Sequence, residues 1–171
     1  MITGLIVVDG AFKSKIFLEH TPWLQDQIKI MRTLCSEIIV VTQEPKPFYQ
    51  VLDVGVRLIT DCLPGKGPLS CLFAGFSLAQ FHDVWVVNGE HPFLNVSAVE
   101  QLLDRKRSGY DAAIPMVNDV LYPLHGVYDR RCAAKALPLL NKGVTKVEAL
   151  LQEIRWSSLS DVRLDANAIV S

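Results

Sequence analysis

Four short runs of Val, Ile and Leu leave this chain few ways to fold: LIVV at 5–8, IIVV at 38–41, VRLI at 56–59 and VWVV at 84–87. Apart from Arg57 they are apolar without alternation, as strands are when helices cover both faces of a parallel sheet. AAIPMV at 112–117 and an apolar run from Leu121 to Tyr128 extend the series. Stretches of helical period lie between them. In PWLQDQIKIMRTLC (22–35), Leu24, Ile28, Met31 and Cys35 share one helix face, and Pro22 suits a first turn. PLSCLFAGFSLAQF (68–81) opens with another helix-starting proline. SAVE at 97–100 reads as a capping box for a helix that stops at Gly109. TKVE at 145–148 repeats the device for a last helix through Ile154, after a helix ending near Gly143. Beyond Trp156 the pattern weakens, and the tail DVRLDANAIVS reads as an extra strand or a loosely held end. Strands alternating with helices predict an α/β fold, a Rossmann-like doubly wound and mostly parallel sheet, as one domain over residues 1–171.

Composition agrees and removes several function classes. Of 171 residues, 50% are hydrophobic and 20% charged, enough for a single packed core. A formal net charge of -1 and no basic run longer than Arg105-Lys106-Arg107 argue against a nucleic-acid partner. That triplet reads as a solvated helix end. Cys35, Cys62, Cys71 and Cys132 have no CxxC spacing, which predicts reduced thiols rather than a disulfide framework. Met1 runs straight into a strand pattern without a cationic leader, and the most apolar helix, near 69–81, is too short and serine-interrupted for a bilayer. A soluble, cytoplasmic protein with no membrane partner is expected.

In open α/β sheets, ligands sit beyond the carboxyl ends of the strands, where strand order reverses. Three segments follow such ends: Asp9 to Lys15, Asp61 to Gly67, and Asn88 to Pro92. In TDCLPGKGPLS (60–70), Pro64, Gly65, Gly67 and Pro68 force a tight path into a helix N-terminus, a place suited to anions. The pattern is neither GxxxxGK[ST] nor GxGxxG, and an ordinary loop explains the same glycines and prolines. Asp61 is placed to accept from a hydroxyl or base, or to cap the turn. VVNGEHPFL (86–94) puts Glu90 where one carboxylate and phosphate oxygens commonly hold magnesium, with a polar Asn-Gly turn as the plainer reading. GFSLA (75–79) falls mid-helix and ends in alanine, unlike a nucleophile elbow. His20, His82, His91 and His125 lack ligand spacing for zinc, and His125 reads as a core histidine. Trp23, Trp85 and Trp156 read as core or interface bulk.

Taken in order, these segments resemble the molybdenum cofactor guanylyltransferases of the nucleotidyltransferase superfamily. DCLPGKGPLSCLFAGF is similar to the family's aspartate followed by a PG-x-GPL-x-G turn and helix. VVNGEHPFL resembles its strand, aspartate and Pro-Phe-Leu, with Glu90 in the aspartate's place. YPLHGVYDR (122–130) resembles the family's Pro-Leu-x-x-x-Tyr strand, and TLCSEIIVV its first helix and second strand. The resemblance runs from about Ile2 to about Ile154. It implies a nucleotide-diphospho-sugar transferase-like fold and a reaction in which a terminal phosphate of molybdopterin attacks the α-phosphorus of GTP. GMP is transferred and pyrophosphate leaves, a chemistry of positioning and charge neutralisation.

The implied site follows position by position. Lys15 matches the lysine after the glycine-rich loop and takes the catalytic role. Glu90 takes the metal, Mg, and GTP is the substrate. The nucleotide-binding set is Val8, Asp9, Gly10, Lys15, Gln43, Asp61, Gly65, Gly67 and Pro68. A molybdopterin-type acceptor and other cofactor-assembly proteins are the implied partners. The chain also departs from the family. VVDG is followed by four residues before Lys15, about four fewer than in the family, and Asp9 replaces a glycine where the backbone should approach triphosphate. A fixed carboxylate there repels phosphate, and Lys13 lacks the fork of the family's missing arginine. The loop therefore reads as a worn remnant of the family's. A divergent guanylyltransferase is the first expectation. A catalytically impaired nucleotide-binding or regulatory paralogue is the second, and transfer to another phosphate acceptor the third.

Overall fold

A computed structural model describes residues 1–8, 24–60, 67–89 and 95–160. The strands are β1 (Ile2–Val8), β2 (Glu37–Thr42), β3 (Val56–Thr60), β4 (Asp83–Asn88), β5 (Ala112–Val117), β6 (Val120–Leu121), β7 (Val127–Asp129) and β8 (Trp156–Ser160). The helices are α1 (residues 24–32), α2 (Gly67–Leu78), α3 (Val96–Arg107), α4 (Ala133–Asn141) and α5 (Val147–Leu151). All eight strands form one sheet in the order β3-β2-β1-β4-β7-β5-β6, with β8 paired to β5. The contacts of β1 with β2 and β4, of β2 with β3, and of β5 with β8 are parallel. β7 runs antiparallel between β4 and β5, and β6 is the return arm of a hairpin whose turn residues, Asn118 and Asp119, have positive φ.

Alternate residues of each central strand feed two cores. Ile6, Val8, Ile38, Val40, Trp85 and Val87 pack with α1 and α3. Leu5, Val7, Ile39, Val41, Val84 and Val86 pack with α2, α4 and α5. Leu24, Ile28, Met31 and Cys35 are buried together, as their spacing requires. The doubly wound α/β architecture expected from the apolar runs is the one observed.

The departures have local causes. β3 is an edge strand, so it is only half-buried, and there Arg57 donates to both Glu37 Oε1 and Leu78 O at 2.9 Å. The helix at 97–100 is not capped by Ser97. Asn95 is its N-cap, its Oδ1 accepting from Ala98 N at 2.8 Å, and Ser97 is exposed inside the first turn. At the last helix the N-cap is Lys146, which makes no side-chain cap bond, and the helix ends at Leu151 rather than Ile154. β8 is a parallel strand the sequence pattern does not announce, while 161–171 lie outside the described residues. The run from Leu121 to Tyr128 is broken by a short 3-10 turn, Pro123–His125.

Arg105-Lys106-Arg107 is not a solvated triplet. Lys106 is 7% exposed, and its Nζ donates to Asp83 Oδ1 and to Asp129 Oδ2, at 2.5 and 3.2 Å. Arg107 closes on Asp83 at 2.8 Å and Arg131 on Asp129 at 3.0 Å. Burial pushes the Asp129 carboxyl upward, but hydrogen bonds from the Arg131 side chain and backbone and from Lys106 outweigh it and bring it down to about 2. Asp83 is likewise lowered: burial raises it, and bonds from Lys106 and Arg107 more than offset the rise. Unfolding returns Asp129 to its ordinary value of 3.8. The stability it lends is complete above that pH and disappears as pH falls to about 2, a loss of roughly 2 kcal/mol. Urea unfolding midpoints should therefore drop steeply between pH 4 and pH 2 and be flat from pH 5 to pH 7; a flat profile throughout contradicts this.

Candidate active site at the carboxyl edge of the parallel strands

Strand order reverses beside β1, since β2 and β3 lie on one side of it and β4 on the other. The register brings four strand exits into one row. Val8 is level with Thr42, Thr42 with Thr60, and Val7 with Asn88. Strands about 4.8 Å apart put the outermost of these exits roughly 14 Å from each other. The three segments singled out in the sequence all begin here, at residues 9, 61 and 88.

Specific contacts fix the exits of β1, β2 and β4 and the start of α2. Gly89 N donates to Val7 O at 2.7 Å, which carries the β1–β4 ladder one residue past Asn88. Beyond β2, Glu44 N donates to Thr42 Oγ1 at 3.2 Å, holding the turn that contains Gln43. Phe48, 2% exposed, anchors the rest of that loop in the core. At the start of α2, Gly67 has φ +70°, and a Cβ there would lie 3.1 Å from Thr145 O. The same carbonyl accepts from Leu69 N at 3.3 Å. Pro68 has no N–H, so two of the first amides of α2 are not free for an anion.

Of the residues proposed from sequence, Val8, Gln43, Gly67 and Pro68 lie in this row or at its margin. Val8 ends β1 and is buried, 3% exposed as a whole residue. Gln43 is half-buried directly after β2. Asp9, Gly10, Lys15, Asp61, Gly65 and Glu90 lie outside the described residues. Sequence reasoning missed Thr42, Gly89 and Thr145. Thr145 stood in a segment read as a helix cap, and Gly89 in the Asn88-to-Pro92 segment, which read either as the surroundings of a metal carboxylate or as a polar Asn-Gly turn.

Other chemistry is placed elsewhere. Among the described residues no three His, Cys, Asp or Glu side chains cluster as a metal site would require. Cys35 and Cys132 are buried thiols whose burial pushes them up to about 12, far from a nucleophile's range. Ser77 spends its hydroxyl on Phe73 O at 2.6 Å within α2, so no nucleophile elbow exists there. His125 is 3% exposed and packs its ring against Tyr122. Trp85 is fully buried core bulk. No helix among the described residues is long and apolar enough to cross a membrane.

A doubly wound, mostly parallel sheet whose strand exits line up at this switch point defines an α/β protein of the Rossmann-like kind. The solved structure of molybdopterin-guanine dinucleotide biosynthesis protein A from Archaeoglobus fulgidus shares the fold, with a TM-score of 0.68 at 19% identity over 92% of this chain and 83% of that one. Residues 9–158 match the family described as the MobA-like NTP transferase domain, and the chain belongs to that family. It is 25% identical over 162 residues to a protein of Methanothermobacter thermautotrophicus named probable molybdenum cofactor guanylyltransferase, covering 91% of this chain and 82% of the relative. A protein of the same name from Methanosarcina mazei is 29% identical over 160 residues, covering 89% of this chain and 70% of the relative.

Proposed function

We propose that this chain is a nucleotidyltransferase that passes GMP from GTP to a terminal phosphate of molybdopterin. An acceptor phosphate oxygen forms a bond to the α-phosphorus. The bond from that phosphorus to the bridging oxygen of the β-phosphate breaks, and pyrophosphate leaves with the electron pair. Such a reaction asks the protein to position and to neutralise charge. The observation that carries the reading is the row of exits at Val8, Thr42, Thr60 and Asn88, from which every proposed site segment departs in a chain of this family.

In this reading Lys15 neutralises charge building on the phosphates, and Asp61 and Gln43 face the nucleoside. Glu90 supplies a hard oxygen donor, the kind magnesium takes together with phosphate oxygens. When bound, the ion offsets the charge of the triphosphate. Val8 and Gly10 offer backbone, while Gly65, Gly67 and Pro68 fix the path into α2.

Asp9 and the short stretch before Lys15 favour a second reading, in which nucleotide binding survives in a regulatory partner of other assembly proteins and transfer is lost. Calorimetric titration with GTP and magnesium, followed by a pyrophosphate-release assay with molybdopterin, separates the two. The first reading expects binding and release. Binding without release leaves the second, and no GTP binding at millimolar concentration removes both.

A further inference from the structure

We infer that Gly89 is a positioning residue: its lack of a side chain lets the exit of β4 lie directly against the exit of β1, at the point in the chain where the segments carrying Glu90 and Lys15 depart. The inference rests on the proposed function and adds a residue to it. The φ of Gly89 is not positive, so backbone freedom is not what requires glycine here. Space is. A Cβ at this position would lie 2.8 Å from Val8 Cγ2, 3.0 Å from Val7 O and 3.6 Å from Ile6 Cγ2.

None of these neighbours yields easily. Val8 is β-branched, stiff at χ1 and 3% exposed, packed among Ile6, Val40 and Val87. Val7 O belongs to a strand paired on both sides and already accepts from Gly89 N at 2.7 Å. Any side chain must therefore push the β4 exit away from β1 and strain that hydrogen bond. The two segments carrying the proposed phosphate lysine and the proposed metal carboxylate start on either side of this contact. A displacement of about 1 Å between catalytic groups costs on the order of 100-fold in rate.

Other tight glycines do a different job. A Cβ on Gly75 would lie 2.4 Å from Leu5 Cδ2, in the core between α2 and β1 and away from the strand exits. It supplies a control for strain alone.

The test compares Gly89→Ala, Gly75→Ala and the double variant Gly89→Ala with Val8→Ala, each below its own unfolding midpoint. Two readouts are taken: pyrophosphate release under saturating substrates, and the magnesium concentration that half-saturates enhancement of GTP binding, by calorimetry. Gly89→Ala is expected to lower kcat about 100-fold and to raise the magnesium requirement. Gly75→Ala should change the unfolding midpoint without moving either readout. Removing Cγ2 of Val8 should return a substantial part of the loss in the double variant. Unaltered kcat and magnesium requirement in Gly89→Ala, or equal losses in Gly75→Ala, overturn the inference while leaving the proposed function standing. If unmodified protein binds GTP but releases no pyrophosphate, the proposed function fails and the magnesium requirement alone decides. If it binds no GTP, both fall.

Discussion

Replacing Lys106 by alanine is expected to lower the free energy of unfolding by about 3–5 kcal/mol, the usual cost of leaving buried charge without its partner. Two buried carboxylates share this one ammonium, beside the arginine that each also holds. The side chains of Asp83 and Asp129 are 11% and 6% exposed, and both face Lys106 across the junction of β4, β7 and the end of α3. Arg107 and Arg131 remain in the variant, but each reaches one carboxylate from its solvent side, and neither fills the space between them. Asp83 begins β4 and Asn88 ends it, so the network lies roughly 16 Å from the strand exits, at about 3.3 Å per residue. GTP affinity of the folded variant should therefore match that of the unmodified protein. Urea unfolding at pH 7 checks the first statement, and a loss under 1 kcal/mol would mean that water replaces the lysine at little cost.

Replacing Lys15 by alanine is expected to reduce pyrophosphate release roughly 100- to 1,000-fold, the range found when one preorganised charge-stabilising donor is removed from a reaction centre. Charge accumulates on the phosphoryl oxygens as the leaving pyrophosphate separates, so most of the loss should fall in kcat rather than in KM. Lys15→Arg keeps the charge with altered geometry and should retain an intermediate rate. Lys13, two residues before Lys15 in the sequence, supplies a second cation, and the double replacement should be worse than the single. Rates for Lys15→Ala within threefold of the unmodified protein would remove this residue from the mechanism.

Much of the architecture was legible because β1 to β4 are nearly pure apolar runs. LIVV, IIVV and VWVV announce burial on both faces, and the sole exception, Arg57, marks the strand that proved to be an edge. The end nearest the tail was not legible. Trp156–Ser160 has little aliphatic density, and its status as a strand comes from pairing with β5, some 44 residues earlier in the chain. The helix starts were misplaced for a related reason. Ser97 and Thr145 carry the right chemistry for a cap. Asn95 reaches the first free amide before Ser97 does, and Thr145 contributes its carbonyl to another helix altogether. Lys106 misled because a charge triplet looks the same whether its middle residue faces water or two aspartates from distant strands. The candidate site was legible as three strand exits, which topology alone places together. Gly89 was not, since the need for glycine there arises from Val8, a residue 81 positions away in sequence but adjacent across the sheet.

Hydrogen–deuterium exchange with and without GTP and magnesium tests most directly whether the carboxyl edge of β1 to β4 is the nucleotide crevice. Protection is expected in peptides covering the exits of β1, β2, β3 and β4, including Lys15, Gln43, Asp61 and Glu90. The opposite edge, where Arg32, Glu37, Asp53 and Gly55 line an open cleft, should exchange unchanged. Protection confined to that cleft, with the four exits unaffected, would contradict the account.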